Sequence, residues 1–309
     1  MKFSLPAVLV IALVLGSLFA SAGSHRAAAA GAPCGTLSTS SVEYTHVIWI
    51  WMENHSYDAV INSPDAPYTN TLAGECGLAT NYHNISHPSL PNYIAATSGL
   101  SLSGIKRFKS DCNPTKHCST DAPSIFGQTS WKAYEESMTS NCELKNDGEY
   151  AVRHNPPPYF TSLTDCDAND VPYTDLATDL TNGTLPAFSF VTPNLIDDTH
   201  DGTVKQGDDW LAANVPAILG SADYQAGHVV LFITYDEGEG GKSNDCATNT
   251  TDVGCHVATL VVSPSTVAGT TSGTLFSHYS LLETTEQLLG VTPLGEAATA
   301  TSMLTDFNL

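Results

Sequence analysis

The sequence predicts an α/β fold, with a mostly parallel central sheet and helices on both of its faces. Apolar, β-prone runs recur at Val47–Met52, Ala187–Val191, Val229–Tyr235 and Val257–Ser263. Helix-like stretches lie between or after them, which is the alternation that builds βαβ units. Two of the strands run straight into carboxylates, Glu53-Asn54 after the first and Asp236-Glu237 after the third. Buried strands ending in acids mark the rim where α/β sheets hold their ligands.

Asp208 to Leu219 carries apolar residues at helical spacing, with Pro216 as its weak point. Tyr279 to Leu289 is a clearer amphipathic helix, stopped by Gly290. The stretch Lys106 to Tyr173 is rich in Cys, Asn and Pro and reads as a loop-rich, disulfide-clipped cap on the same domain. The expected organisation is a signal peptide over 1–22, a spacer over 23–33 and one catalytic domain over 34–309. Lys2, the apolar run Leu5 to Ala20 and the small residues Ala20-Ser21-Ala22 are the marks of a secretory signal. No other segment is long and apolar enough to span a bilayer, so the mature form is expected to have no transmembrane segment.

Net charge is -21, with only 11 Lys and Arg. That excludes nucleic acid as a partner, because a phosphate backbone needs a basic footprint. An anionic substrate needs a local positive centre in such a chain, for example a metal ion. The eight cysteines agree with export and disulfides. Short spacing favours Cys112–Cys118 and Cys246–Cys255, and elimination leaves Cys34–Cys76 and Cys142–Cys166. No Cys-x-x-Cys pair offers a thiolate zinc site. Asn84, Asn182 and Asn249 begin glycosylation sequons.

Glu53, Asn54, Asp236 and Glu237 are hard oxygen donors, suited to calcium, magnesium or manganese, with zinc a further option. Gly238, Gly240 and Gly241 follow and allow a tight turn. In His87-Pro88-Ser89-Leu90-Pro91-Asn92-Tyr93, a proline two residues after Ser89 sets that serine at or near a helix N-terminus. Ser89 there is either an N-cap or, beside a metal, an activated nucleophile. Asn92 falls about one turn on, where its amide could bind a phosphoryl oxygen. His200, in Asp197-Asp198-Thr199-His200-Asp201-Gly202, and His278, in Ser277-His278-Tyr279-Ser280, fall at rim positions suited to phosphate binding or leaving-group protonation. Asp201 could orient His200 or bind on the phosphate side, and His154, before Asn155-Pro156, is a candidate substrate contact. His25, His46, His117, His228 and His256 read as surface or capping residues, and His55 and His83 stay open. The Gly-x-Ser-x-Gly elbow and Walker-type phosphate loops are absent.

With these residues in order, the chain resembles the phosphoesterase family of secreted acid phosphatases and bacterial phospholipases C, within the alkaline phosphatase-like superfamily. The resemblance rests on Met52 through Asp58, His87 through Tyr93, Asn194 through Gly202, Tyr235 through Gly238 and Ser277 through Ser280. Trp131-Lys132-Ala133-Tyr134 and His154-Asn155-Pro156 add to it. It implies a three-layer α/β/α sandwich and a single catalytic divalent metal held by Glu53, Asn54, Asp236, Glu237 and Ser89, with Ser89 the nucleophile. Asn92, His200 and His278 match positions lining the phosphate site, and His87 belongs to the motif. The expected activity is a secreted phosphomonoesterase working through phosphoserine on small phosphate esters, including phosphoinositides or other phospholipid head groups. The alternatives are a phospholipase C-type phosphodiesterase and a non-catalytic metal-binding surface protein.

Overall fold

The computed structural model describes residues 1–2, 32–249 and 251–309. The predicted signal peptide and most of the spacer lie outside the described residues. Ala32–Leu309 forms one compact unit. Its strands are β1 (His46–Met52), β2 (Gly77–Ala79), β3 (Tyr82–His83), β4 (Trp131–Glu135), β5 (Asp170–Pro172), β6 (Phe188–Thr192), β7 (Val229–Tyr235), β8 (Thr259–Val262), β9 (Thr270–Ser272) and β10 (Phe276–Ser277). Its helices are α1 (Tyr57–Val60), α2 (Pro67–Glu75), α3 (Ser89–Ser98), α4 (Cys166–Asn169), α5 (Thr174–Asn182), α6 (Val204–Leu219), α7 (Ala222–Gln225), α8 (His278–Leu289) and α9 (Leu304–Phe307). No described helix is long and apolar enough to cross a membrane.

The main sheet has the order β5-β4-β6-β1-β7-β8-β2-β9, and β3 pairs separately with β10. β5, β4, β6, β1 and β7 run parallel, and β8 is antiparallel to both β7 and β2. β1 and β7 sit mid-sheet and are buried on both faces, which is why they read as unbroken apolar runs rather than alternating ones. Side chains of β1 alternate between the two helical layers. On one face Trp49 Nε1 donates to Thr285 Oγ1 of α8 at 3.0 Å, and Trp51 packs on the Tyr93 ring of α3 at 4.9 Å. On the other face the Met52 side chain lies against Gly207 of α6, where an added Cβ would come within 2.8 Å of its methyl carbon.

The predicted cap is more regular than its composition suggests. Trp131–Glu135 and Asp170–Pro172 are strands of the main sheet, and what lies between them is loop, short turns and the brief helix α4. Both are short, and pairing of β4 with β6 and of β5 with β4 supplies the stability that a three- to five-residue run lacks alone. All four predicted cysteine pairs are formed: Cys34–Cys76, Cys112–Cys118, Cys142–Cys166 and Cys246–Cys255. Asn84 is fully buried with its amide donated to the Ser86 carbonyl, so that sequon is closed to a glycan in the folded chain.

Helix α6 starts at Val204, directly after Thr203 and four residues earlier than its predicted start, because Thr203 and Gln206 form a capping box. Helix α8 ends on Gly290 in the left-handed conformation, as its sequence predicts. Glu286 on α8 is buried, with Oε1 accepting from Leu294 N at 2.9 Å and no described partner for Oε2. Burial pushes its carboxyl up to about 8. The native state therefore holds a proton that the unfolded chain releases near 4.5. Stability from this group is complete below that value and is lost as pH rises through about 8. Thermal melts of Glu286→Gln are expected to lack this slope, so the variant gains on the wild type between about pH 5 and pH 8. Parallel melting curves for the two proteins over that range contradict this.

Candidate active site

The two acidic steps meet because β1 and β7 are neighbours in register. Met52 stands opposite Tyr235, so Glu53-Asn54 and Asp236-Glu237 leave the same sheet edge side by side. The Asp236 amide donates to the Met52 carbonyl at 2.9 Å, and the Asn54 amide donates to Asp236 Oδ1 at 3.2 Å. Asn54 adopts φ 53°, a left-handed turn that asparagine tolerates better than most residues. Glu53 keeps the parity of Trp49 and Trp51, so its side chain enters the layer occupied by α3.

There it meets Ser89. The serine is the first residue of α3, and its hydroxyl donates to Glu53 Oε2 at 3.0 Å. It caps nothing. Asp111 does the capping instead, accepting from Leu90 N at 3.0 Å through Oδ1. The competing reading of Ser89 as a plain N-cap therefore does not describe this serine. Tyr93, one turn further along α3, donates its hydroxyl to Glu53 Oε1. Tyr93 escaped the sequence reading, although its i+4 spacing from Ser89 puts both on one helix face.

The loop after β6 closes the other side. The Glu53 amide donates to the Asp198 carbonyl at 2.8 Å, and Thr199 Oγ1 donates to the Glu53 carbonyl at 2.7 Å. His154 is buried between two carboxylates, with Nδ1 3.0 Å from Asp198 Oδ2 and Nε2 3.2 Å from Glu53 Oε1. Its ring stacks on Tyr93, centroids 5.5 Å apart. Asp198 is a second residue that sequence reading missed. Its only local signal is its place two residues before His200, whose amide it accepts at 2.6 Å. His200 is partly exposed, with Nδ1 3.0 Å from Asp201 Oδ1 and Nε2 3.1 Å from an Arg153 guanidinium nitrogen. Asp201 points mostly to solvent.

The remaining predicted residues hold the frame. Asn92 Oδ1 accepts from Ile85 N and Ser86 N at 2.9 and 3.0 Å, and its Nδ2 lies 3.3 Å from Glu237 Oε2. Its amide thus ties the loop before Ser89 to the second acidic step. His87 Nδ1 lies 2.8 Å from Glu237 Oε2, with the ring packed against Gly241, where an added Cβ would come within 2.1 Å. His278 is fully buried. Its Nε2 is 2.7 Å from the Asp236 carbonyl and its Nδ1 3.0 Å from the Tyr82 hydroxyl, so both ring nitrogens are spent on protein partners. That differs from the rim position its sequence suggests. As the first residue of α8, it is drawn down onto Trp51, centroids 4.7 Å apart.

The electrostatics of the site call for a cation. Burial, followed by the charges of Asp236 and Asp198, raises the Glu53 carboxyl well above its ordinary value. Burial and then Glu237 do the same to Asp236. Burial and Asp111 push Glu237 up to about 9. Burial lowers His154 well below the usual imidazole range and takes His278 down to about 4. Asp236 Oδ2 is buried with no described hydrogen-bond partner. Carboxylates that destabilise one another, together with an orphaned oxygen aimed among them, fit a hard divalent cation that neutralises the cluster.

Comparison with known proteins agrees with this frame. The chain is 28% identical over 267 residues to a phosphatidylinositol-3-phosphatase of Mycobacterium tuberculosis, covering 86% of this chain and 84% of the relative. It is 28% identical to a phosphate-repressible acid phosphatase of Penicillium chrysogenum, covering 80% of this chain and 59% of that longer protein. A solved structure of a Vibrio parahaemolyticus protein in the alkaline phosphatase superfamily shares the fold, with a TM-score of 0.56 at 13% identity over 88% of this chain and 74% of that one. The Phosphoesterase family matches residues 61–292, which begins just past Glu53-Asn54 and takes in Ser89, His154, His200, Asp236, Glu237 and His278. With most of its length covered by that match, this chain belongs to the Phosphoesterase family.

Proposed function

We propose that this phosphoric ester hydrolase is a metal-dependent phosphomonoesterase in which Ser89 is the nucleophile and phosphoserine the intermediate. The observation that carries the reading is the Ser89 hydroxyl, turned away from helix capping and onto Glu53 Oε2 at 3.0 Å. Glu53, Asn54, Asp236, Glu237 and Ser89 would hold the ion, with calcium, magnesium or manganese suited to that oxygen set. When bound, the ion supplies charge neutralisation and lowers the basicity needed to generate the serine alkoxide.

Ser89 Oγ, its proton passing to Glu53 Oε2, forms a bond to phosphorus while the phosphorus–oxygen bond to the alcohol breaks, its electron pair leaving with the alcohol oxygen, which takes a proton from solvent on the open side. Water then attacks the phosphoserine phosphorus, which frees orthophosphate and restores Ser89. Tyr93 bonds Glu53 Oε1, leaving Oε2 facing the nucleophile. His278 braces the Asp236 backbone from behind, and Asn92 and His87 brace Glu237. His200 is the histidine with access to the open side, where the alcohol departs. The Mycobacterium relative supports phosphoinositides among the substrates. The four disulfides support an oxidising compartment and hence export.

Metal-reconstituted protein is expected to hydrolyse nitrophenyl phosphate and phosphoinositide monoesters at least about tenfold faster, in kcat/KM, than bis-nitrophenyl phosphate or phosphatidylcholine. A reversed order assigns the site to phosphodiesters. No hydrolysis of any of these with metal bound removes the enzymatic reading.

A further inference from the structure

The cleft contains a cation that the sequence reading passed over. Arg153 directly precedes His154 in a short turn, Val152–His154, and is only partly exposed. Its guanidinium carries five N–H donors. Among the described residues its side chain makes one hydrogen bond, to His200 Nε2 at 3.1 Å, and no ion pair. A half-buried arginine without a carboxylate partner is unexpected in a chain with 32 acids and 11 Lys and Arg.

Its surroundings explain where it points. Asp201 takes His200 Nδ1 and Asp198 takes the His200 amide, which turns Nε2 toward the guanidinium as an acceptor. Glu53, His154 and His200 bring one ligand-type atom each to within 4.8 Å of one another. Ser89 Oγ is 3.0 Å from Glu53 Oε2 and the guanidinium is 3.1 Å from His200 Nε2, so nucleophile and guanidinium both border the Glu53–His154–His200 cluster. Asp111 caps Leu90 on the same side and feels the charges of both Arg153 and His200. A second metal between Glu53, His154 and His200 would sit against this fixed positive charge.

We propose that Arg153 is a phosphate-binding residue that grips non-bridging phosphoryl oxygens at the His200 edge of the site, with His200 as its positioning residue. It would make the site favour the doubly charged phosphoryl of a monoester over the singly charged phosphoryl of a diester. The inference rests on the phosphoesterase reading of Ser89. A guanidinium meets two phosphoryl oxygens with parallel hydrogen bonds, and a dianion gains more from it than a monoanion.

The test compares wild type, Arg153→Gln and Arg153→Lys, all metal-reconstituted and checked for folding by thermal melts. Two readouts are taken: kcat/KM on nitrophenyl phosphate and bis-nitrophenyl phosphate, and calorimetric affinity for inorganic phosphate. Arg153→Gln is expected to lose about 100-fold on the monoester and about tenfold or less on the diester. Phosphate affinity should fall with the monoester rate, and Arg153→Lys should lie between, keeping charge but losing the fork. Equal losses on both esters with unchanged phosphate affinity overturn the proposal, as does a glutamine variant matching wild type throughout. If Arg153→Gln fails to fold, the same split read on Arg153→Lys decides it. A wild type that cleaves neither ester, yet binds phosphate in an Arg153-dependent way, sustains the anion site and sinks the catalytic reading alone.

Discussion

Ser89→Ala is expected to lower phosphomonoester turnover at least about a thousandfold while the protein stays folded. The change deletes a single oxygen at the start of α3. The helix keeps its cap, because Asp111 rather than Ser89 bonds the Leu90 amide. Its C-terminal stop at Gly99 is untouched. What disappears is the hydroxyl facing Glu53 Oε2, and no other described hydroxyl donates to that oxygen. Wild-type enzyme quenched in acid during turnover should carry phosphate on the peptide containing Ser89, detectable by mass spectrometry. A Ser89→Ala protein with near-wild-type turnover, or trapped phosphate on another residue, rules out the mechanism.

Asp236→Asn is expected to act with opposite sign on the metal-free and metal-loaded proteins. In the metal-free protein Asp236 is a fully buried carboxylate, close to Glu53 and Glu237, with Oδ2 unpartnered. Neutralising it relieves desolvation and repulsion, so the metal-free variant should melt higher than metal-free wild type. With metal present the order reverses. The variant loses a charged ligand, its metal affinity by calorimetry falls by about tenfold or more, and the stabilisation that binding gives shrinks with it. Dialysis of wild type against a chelator should abolish turnover, with return on adding calcium, magnesium or manganese. Turnover that survives chelation, or an Asp236→Asn protein that binds metal as tightly as wild type, removes Asp236 from the metal site.

Residues that announce themselves locally were legible without a fold. The β1 and β7 runs are apolar because both faces of each strand are covered. Gly290 stops α8 because only a left-handed residue suits that end. Cys112–Cys118 and Cys246–Cys255 close short loops, and the family motifs point to Ser89. Short strands were less visible. β4 and β5 lie in a stretch with a loop's composition and are strands because β6 offers an edge to β4, and β4 in turn offers one to β5. Asp111 and Arg153 carry no signal of their own, and Asp198 only its place beside His200, since an acid or arginine in a polar segment looks the same whether it faces solvent or a nucleophile.

The fold class, the acidic strand ends, the serine at a helix start and the close pairs Cys112–Cys118 and Cys246–Cys255 are legible in the chain. Each follows from short-range rules of periodicity, capping and spacing. Long-range packing makes β1 and β7 neighbours, so that Glu53 and Asp236 share a site instead of ending separate loops. It also decided that Asp111 takes over the capping role and leaves Ser89 free, and that His278 is sealed onto the Asp236 backbone. The physical reason is the same in each case: a side chain's role depends on which partner satisfies it after desolvation, and those partners come from strands and loops distant in sequence.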